Sequence, residues 1–215
     1  MSIKTKLKAT TLASLIVFEA AGCSNKMDPN ERNFGAAISA YLEKKGDLCL
    51  NSIKWPKDTG GLDYQLDGLK ESDQLQILET VGLVSSETID RGALNNRGES
   101  STGTRETFLR YELTEKGRSF FHADRNDPDS GELCYGKKAL DTLVKWDGPL
   151  KIGDYQVASI RFHYKVVDLA DWAKDTNVQV AYPAIKRTLD GAGTSQQSHS
   201  VKLTNVGWEA VGIDN

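Results

Sequence analysis

Three cysteines and three histidines are all that 215 residues hold. His122, His163 and His199 stand far apart, and no Cys-x-x-Cys or paired-histidine spacing occurs, which argues against a zinc site. The chain has no Gly-x-Ser-x-Gly elbow, no His-Glu-x-x-His, no phosphate loop and, beyond its amino-terminal segment, no Ser-x-x-Lys, so the common hydrolase and nucleotide-binding signatures are absent. Basic charge is scarce as well. Lysine and arginine total 27 against 30 acids, a net charge of −3, whereas nucleic-acid domains are usually basic. Apolar runs are short. The run from Ala9 to Phe18 covers half of the ~20 residues a membrane span needs, and nothing after it reaches that length.

What is present begins at the amino terminus. Lys4, Lys6 and Lys8 precede the apolar run, and Ala20-Ala21-Gly22-Cys23 follows it. A basic region, a short apolar core and small residues at a cut site have the form of a secretory signal. With a cysteine directly after the small residues, the segment resembles the lipobox of bacterial lipoproteins. Two positions depart from that pattern: Ala20 stands where leucine is preferred, and Glu19 puts a charge at the end of the apolar run. The resemblance implies cleavage before Cys23, acylation of Cys23 and a protein anchored by lipid in the cell envelope. Ser24 is not the aspartate associated with inner-membrane retention, so the implied address is the outer membrane, facing the periplasm. An ordinary signal peptide with an incidental cysteine is the alternative, and a cytoplasmic protein the third.

With Cys23 taken by lipid, as that resemblance implies, Cys49 and Cys134 remain as an even pair in a compartment where disulfides persist. Their bond would close a loop of ~86 residues, for which the chain-entropy model gives an upper value of ~4–5 kcal/mol. Two free buried thiols are the alternative. Removing residues 1–22 takes away three lysines and one glutamate, so the mature chain moves from −3 to about −5.

Five parts are expected: a signal peptide (1–22), a lipidated tether (23–32), a first module (33–123), a polar linker (124–132) and a second module (133–215). In the first, Phe34, Ala37, Ile38, Tyr41 and Leu42 form one helical stripe, with Asn33 as its cap and Gly46 as its stop. A second helix is expected over Ser72 to Val81, a strand from Leu83-Val84, a long polar loop over 85–107 and a strand over Phe108 to Leu113. Thr114 then caps a short helix. Two phrases, Leu78 to Val84 and Tyr111 to Arg118, resemble the end of a recognition helix entering its wing, and the wing's return strand, in a winged-helix domain. The resemblance implies a local fold and no DNA reading: Glu71, Asp73 and Glu79 lie on the corresponding helix with only Lys70 as a base. Arg91, Arg97, Arg105 and Arg110 are offset by Glu87, Asp90, Glu99 and Glu106, as in a solvated mixed-charge loop.

In the second module, Ala158, Ile160, Phe162, Tyr164 and Val166 alternate with Ser159, Arg161, His163 and Lys165, a strand with one wet face. A partner strand is expected over Ala139 to Trp146, a short helix over Asp168 to Lys174, a helix interrupted by Pro183 over Val178 to Leu189, a polar loop over Gly191 to Ser200 and a last strand over Ser200 to Val211. Leu113-Thr114-Glu115-Lys116-Gly117 echoes Leu203-Thr204-Asn205-Val206-Gly207, a short turn signature used twice. The fold class expected is α+β, a winged-helix-like module followed by a small antiparallel-sheet module with short helices.

Carboxylates such as Asp168 with Asp171, or Asp124 with Asp127 and Asp129, sit in capping or turn contexts. Asp124 to Asp129 lacks the spacing and closing glutamate of a calcium loop. His163 is a candidate pH sensor or a plain solvated strand position. Trp55, Trp146, Trp172 and Trp208 are candidates for the core, or for a groove taking peptide or glycan. No catalytic residue, cofactor or metal is expected. The expected function is that of a non-enzymatic envelope lipoprotein binding another envelope protein or a cell-wall component, with no nucleic acid as partner. The alternatives are an envelope hydrolase or small-molecule resistance factor, and a winged-helix regulator of transcription if the amino terminus is not a signal.

Overall fold

The structure, a computed structural model, describes residues 25–60, 68–94 and 100–213. Helix α1 (Glu31–Lys45) opens them. Asn30, not Asn33, caps it by accepting the Asn33 backbone N–H at 2.9 Å. The Asn33 side chain instead donates to the Asn25 and Asp28 carbonyls, both at 2.9 Å, which ties the preceding residues to the helix. Glu31 in the first turn and Lys44 and Lys45 in the last complement the helix dipole. The expected apolar stripe is real: Phe34, Ala37, Ile38 and Leu42 are buried.

That stripe lies on a curled, half-barrel antiparallel sheet. Its strands are β1 (Asp47–Cys49), β7 (Ser130–Ile152), β8 (Tyr155–Val167), β9 (Gln196–Thr204) and β10 (Gly207–Ala210), side by side in that order. Two short strands, β2 (Ile53–Lys54) and β6 (Phe121–Ala123), pair with the start of β7. The period of two in β8 matches the burial. Ala158, Ile160, Phe162 and Tyr164 are buried, while Ser159, Arg161, His163 and Lys165 lie on the outer face. The inner face of β8, with Val201 and Trp208, closes one core against α1. Each large side chain buried there contributes ~1.5–3 kcal/mol.

The rest of the chain builds on a second sheet of three strands: β3 (Lys57–Gly60), β4 (Val84–Leu94) and β5 (Ser100–Leu113), in the order β3-β5-β4. Helix α2 (Gly68–Thr80) leads into β4, and the four-residue α3 (Glu115–Arg118) follows β5. The long loop expected over 85–107 is therefore largely strand. Its pairing rests on backbone bonds and polar cross-strand partners, which an apolar count does not register. Glu79 accepts from the Ser86 backbone and hydroxyl at 2.8 and 2.9 Å. Thr107 donates to Asp90 at 3.1 Å. Arg110 forks onto Asp58 at 2.8 and 3.1 Å. Thr114 caps α3 as expected, accepting from Gly117 N–H at 3.0 Å. Gly117 is needed there, because a Cβ would land on the Leu83 carbonyl oxygen.

Of the linker expected over 124–132, residues 124–129 form the turn between β6 and β7 and the rest begins β7. The Asp124 and Ser130 backbones bond across it at 2.8 Å, and Lys54 reaches Asp127 at 2.7 Å. A second apolar core draws on both expected modules: Leu50, Trp55, Leu75, Leu78 and Tyr111 meet Leu133, Tyr135, Trp172, Val178 and Ile185. The helix expected at 168–174 is a single 3-10 turn, Asp171–Lys174. The interrupted helix is two helices, α4 (Thr176–Ala181), capped by Asp175, and α5 (Pro183–Asp190), which Pro183 begins. The final strand is the β9–β10 hairpin, closed by Thr204 donating to the Gly207 carbonyl at 2.9 Å. Thr114 caps a helix and Thr204 closes a hairpin, so the short echo between them carries two different structures. Among the described residues, no helix is long and apolar enough to cross a membrane.

Candidate binding groove

The connection from β1 to β2 crosses the surface beside α2 and α5. Its path is fixed by Leu50 N–H donating to the Leu133 carbonyl at 2.9 Å and by the disulfide between Cys49 and Cys134, which face each other across the β1–β7 pair. On α2, Glu71, Gln74 and Leu75 share one face, as their spacing dictates. Gln74 donates its side-chain amide to the Ala181 carbonyl at 2.8 Å, which fixes α2 to the joint between α4 and α5. Tyr182 and α5 form the opposite wall.

The resulting groove has a cavity volume of about 550 Å³, within the range of small-ligand sites. Leu50, Ile53, Leu75 and Ile185 supply apolar lining, while Asn51, Ser52, Glu71 and Arg187 supply polar groups. Glu71 is paired with Lys57 at 2.9 Å. Burial, and then the nearby Glu71 charge, push the Tyr182 phenol well above its usual range. Tyr182 is therefore a neutral hydrogen-bonding group at physiological pH. No histidine is among the residues that line the groove. The lining suits binding of an amphipathic ligand, with Arg187 and Glu71 offering one charge of each sign.

Of the expected site residues, Cys49 alone is placed at the groove. Cys23 falls outside the described residues. Cys49 lines the groove and is bonded to Cys134. The ring of His122 lies beside that bond, with donor atoms of the three residues within 4.8 Å of one another. With the two sulfurs joined to each other, neither is a thiolate ligand. His163 sits on the outer face of β8, its Nδ1 3.4 Å from the Thr142 hydroxyl. Asp171 is exposed and bonded to Lys174 at 2.7 Å, which holds its carboxyl below the usual range. Asp168 borders a hollow of about 310 Å³ with Lys137, Lys138 and Lys165.

Trp55, Trp172 and Trp208 are buried, and Trp146 is partly exposed. They do not line one groove: Trp55 and Trp172 belong to one core, Trp208 to the other. The indole N–H groups of Trp55 and Trp172 are buried without a hydrogen-bond partner among the described residues. Arg110 is engaged by Asp58, and Arg97 lies outside the described residues. The groove residues themselves were hidden in the sequence. Glu71, Gln74, Tyr182 and Arg187 come from helices more than a hundred residues apart, and the break at Pro183 was their one local signal.

No protein-family model, curated protein or solved structure matches the chain.

Proposed function

We propose that this is a non-enzymatic lipoprotein of the bacterial cell envelope, anchored through Cys23, that binds a partner protein or a cell-wall component in the groove between α2 and α5. The observation that carries the anchor is the order of Lys4 to Lys8, the apolar run and Ala20-Ala21-Gly22-Cys23. The disulfide between Cys49 and Cys134 supports an oxidising address. The groove's mixed lining, without a histidine to activate a nucleophile, supports binding over hydrolysis.

The segment from β3 to α3 is best read as winged-helix-like. Strand order β3-β5-β4, helix α2 leading directly into β4 and the Thr114 turn into α3 support that reading. Its α2 buries Leu75 and Leu78 in the core and carries Glu71, Asp73 and Glu79, a surface unsuited to a phosphate backbone. The module serves here as a wall of the groove. The outer membrane, facing the periplasm, is the proposed location.

The test is intact-mass analysis and sucrose-gradient fractionation of the wild type beside Cys23→Ser. Acylation of Cys23, outer-membrane density for the wild type and release of the variant are expected. An unacylated wild-type chain, or a variant retained in the membrane as fully as the wild type, would remove the anchor.

A further inference from the structure

Four of the most exposed large apolar side chains gather at one end of the first sheet. The register of the β7–β8 hairpin pairs Leu150 with Val157 and Ile152 with Tyr155. Residues opposite one another, and residues two apart, share a face. Leu150, Ile152, Tyr155 and Val157 therefore form one apolar face at the hairpin tip, while Lys151 and Gln156 point the other way. Leu150, Ile152 and Tyr155 are 64%, 63% and 62% exposed. The next pairing sets Val157 beside Lys202. The β9–β10 turn thus lies at the same end, and its Val206 is 61% exposed.

The amino-terminal residues arrive at this end too. Trp208 on β10 donates its indole N–H to the Met27 carbonyl at 3.1 Å. Gly207 (φ +127°) lets the chain lie against it, since a Cβ there would sit 3.2 Å from the Lys26 carbonyl oxygen. Cys23 precedes Met27 by four residues, at most ~14 Å of chain. From β8 to β10 is two strand spacings, ~10 Å. Met27 and the apolar tip thus lie at the same end of the sheet, and the chain length between Cys23 and Met27 sets an upper limit on how far the proposed anchor can be from that end. Lys26, Lys151 and Lys202 lie at this end, against Asp154 and Glu209.

We propose that the β7–β8 hairpin tip is a second membrane contact, in which Leu150, Ile152 and Tyr155 enter the lipid surface beside the anchor and the lysines meet anionic headgroups. This rests on the anchor reading for its location. A second contact adds buried apolar surface to that of the acyl chains. The tip also fixes orientation. The sheet stands with its β7–β8 turn toward the lipid. The bond from Tyr164, at the other end of β8, to the Thr188 carbonyl at 2.7 Å holds α5, and with it the groove, away from the surface.

The experiment uses the purified full-length protein as processed in cells, reconstituted in phosphatidylethanolamine–phosphatidylglycerol vesicles. An environment-sensitive fluorophore is placed at Asp154→Cys in the turn, or at Lys186→Cys on α5 as control. Doxyl-labelled lipid is expected to quench the tip label several-fold more than the control, and Leu150→Asp with Ile152→Asp to abolish the difference. Equal quenching at both positions overturns the proposal. Intact mass of the same sample reports the acyl chains separately. If they are absent, the anchor reading fails, and the tip stands only if the unacylated protein still binds vesicles in a manner the double substitution abolishes. Sedimentation without lipid completes the test: a dimer that the double substitution dissociates makes the tip a self-association surface and overturns a lipid role.

Discussion

Cys49 and Cys134 face each other directly across the β1–β7 pair, and their bond ties an edge strand to the longest strand of the sheet over a separation of 85 residues. The same bond borders the groove through Cys49. Constraint of the unfolded chain is the main stabilising effect of such a link. Replacing both cysteines by alanine is expected to cost ~2–4 kcal/mol. For a domain of this size, that lowers the unfolding midpoint by roughly 5–15 °C. Calorimetry of the double variant, and of wild type with and without reductant, checks it. An unchanged midpoint would mean the link contributes nothing to stability.

Much of the fold was legible where periodicity and burial agree. The stripe from Phe34 to Leu42 and the alternation from Ala158 to Val166 each face a core, so the sequence records their surroundings at every second or third residue. The β4–β5 hairpin was not legible. Asp90 pairs with Thr107 inside it, Ser86 is held by Glu79 from α2 and Arg110 by Asp58 from β3, polar contacts that read singly as loop composition. Asn33 was a plausible cap, but Asn30 lies three residues earlier and takes that role. The cysteine pairing was legible through the amino-terminal pattern. The groove was not, because Gln74 and Ala181 meet only when the core shared by α2, α4 and α5 has formed.

The first core has a single residue on which a sharp test rests. Phe34 is fully buried, with ring centroids 5.5 Å from Trp146 and 4.9 Å from Trp208, both edge-on. Phe34→Ala is expected to destabilise by ~3–5 kcal/mol, through lost burial and the cavity left behind. Because both neighbours are tryptophans, the native fluorescence spectrum should shift as well. Urea unfolding monitored by fluorescence measures both effects. A loss below ~1 kcal/mol would show that α1 is not a principal part of this core.

The turn between β6 and β7 has a pH signature. Hydrogen bonds from Lys54 and Ser130 hold the Asp127 carboxyl below its ordinary value of 3.8. A carboxyl with a folded pKa below its unfolded one contributes stability that is present above the unfolded pKa. That contribution is lost as pH falls through the folded value. Asp127 should therefore titrate below the free carboxyl in a carbon-detected NMR titration, and Lys54→Met should move its midpoint up. The group is exposed, so the accompanying change in stability is small. A midpoint at or above 3.8 in the wild type would show that the Lys54 contact does not persist in solution.

The groove makes its own demand on a single side chain. Arg187 is exposed and lines it, in none of the ion pairs found among the described residues. Reversing its charge removes the groove's cation while leaving both cores intact. Arg187→Glu is therefore expected to change stability by no more than ~0.5 kcal/mol. Its effect on a partner should be far larger, since the variant puts a second carboxylate in a groove that already holds Glu71. A photo-crosslinking residue at Ser52 reads this in living cells, with the same residue at exposed Lys186 as control. Adducts formed from Ser52 and missing from Lys186 are expected to fade in Arg187→Glu. Identical adducts from both positions, or adducts from Ser52 that the charge reversal leaves untouched, would show that the groove does not choose the partner.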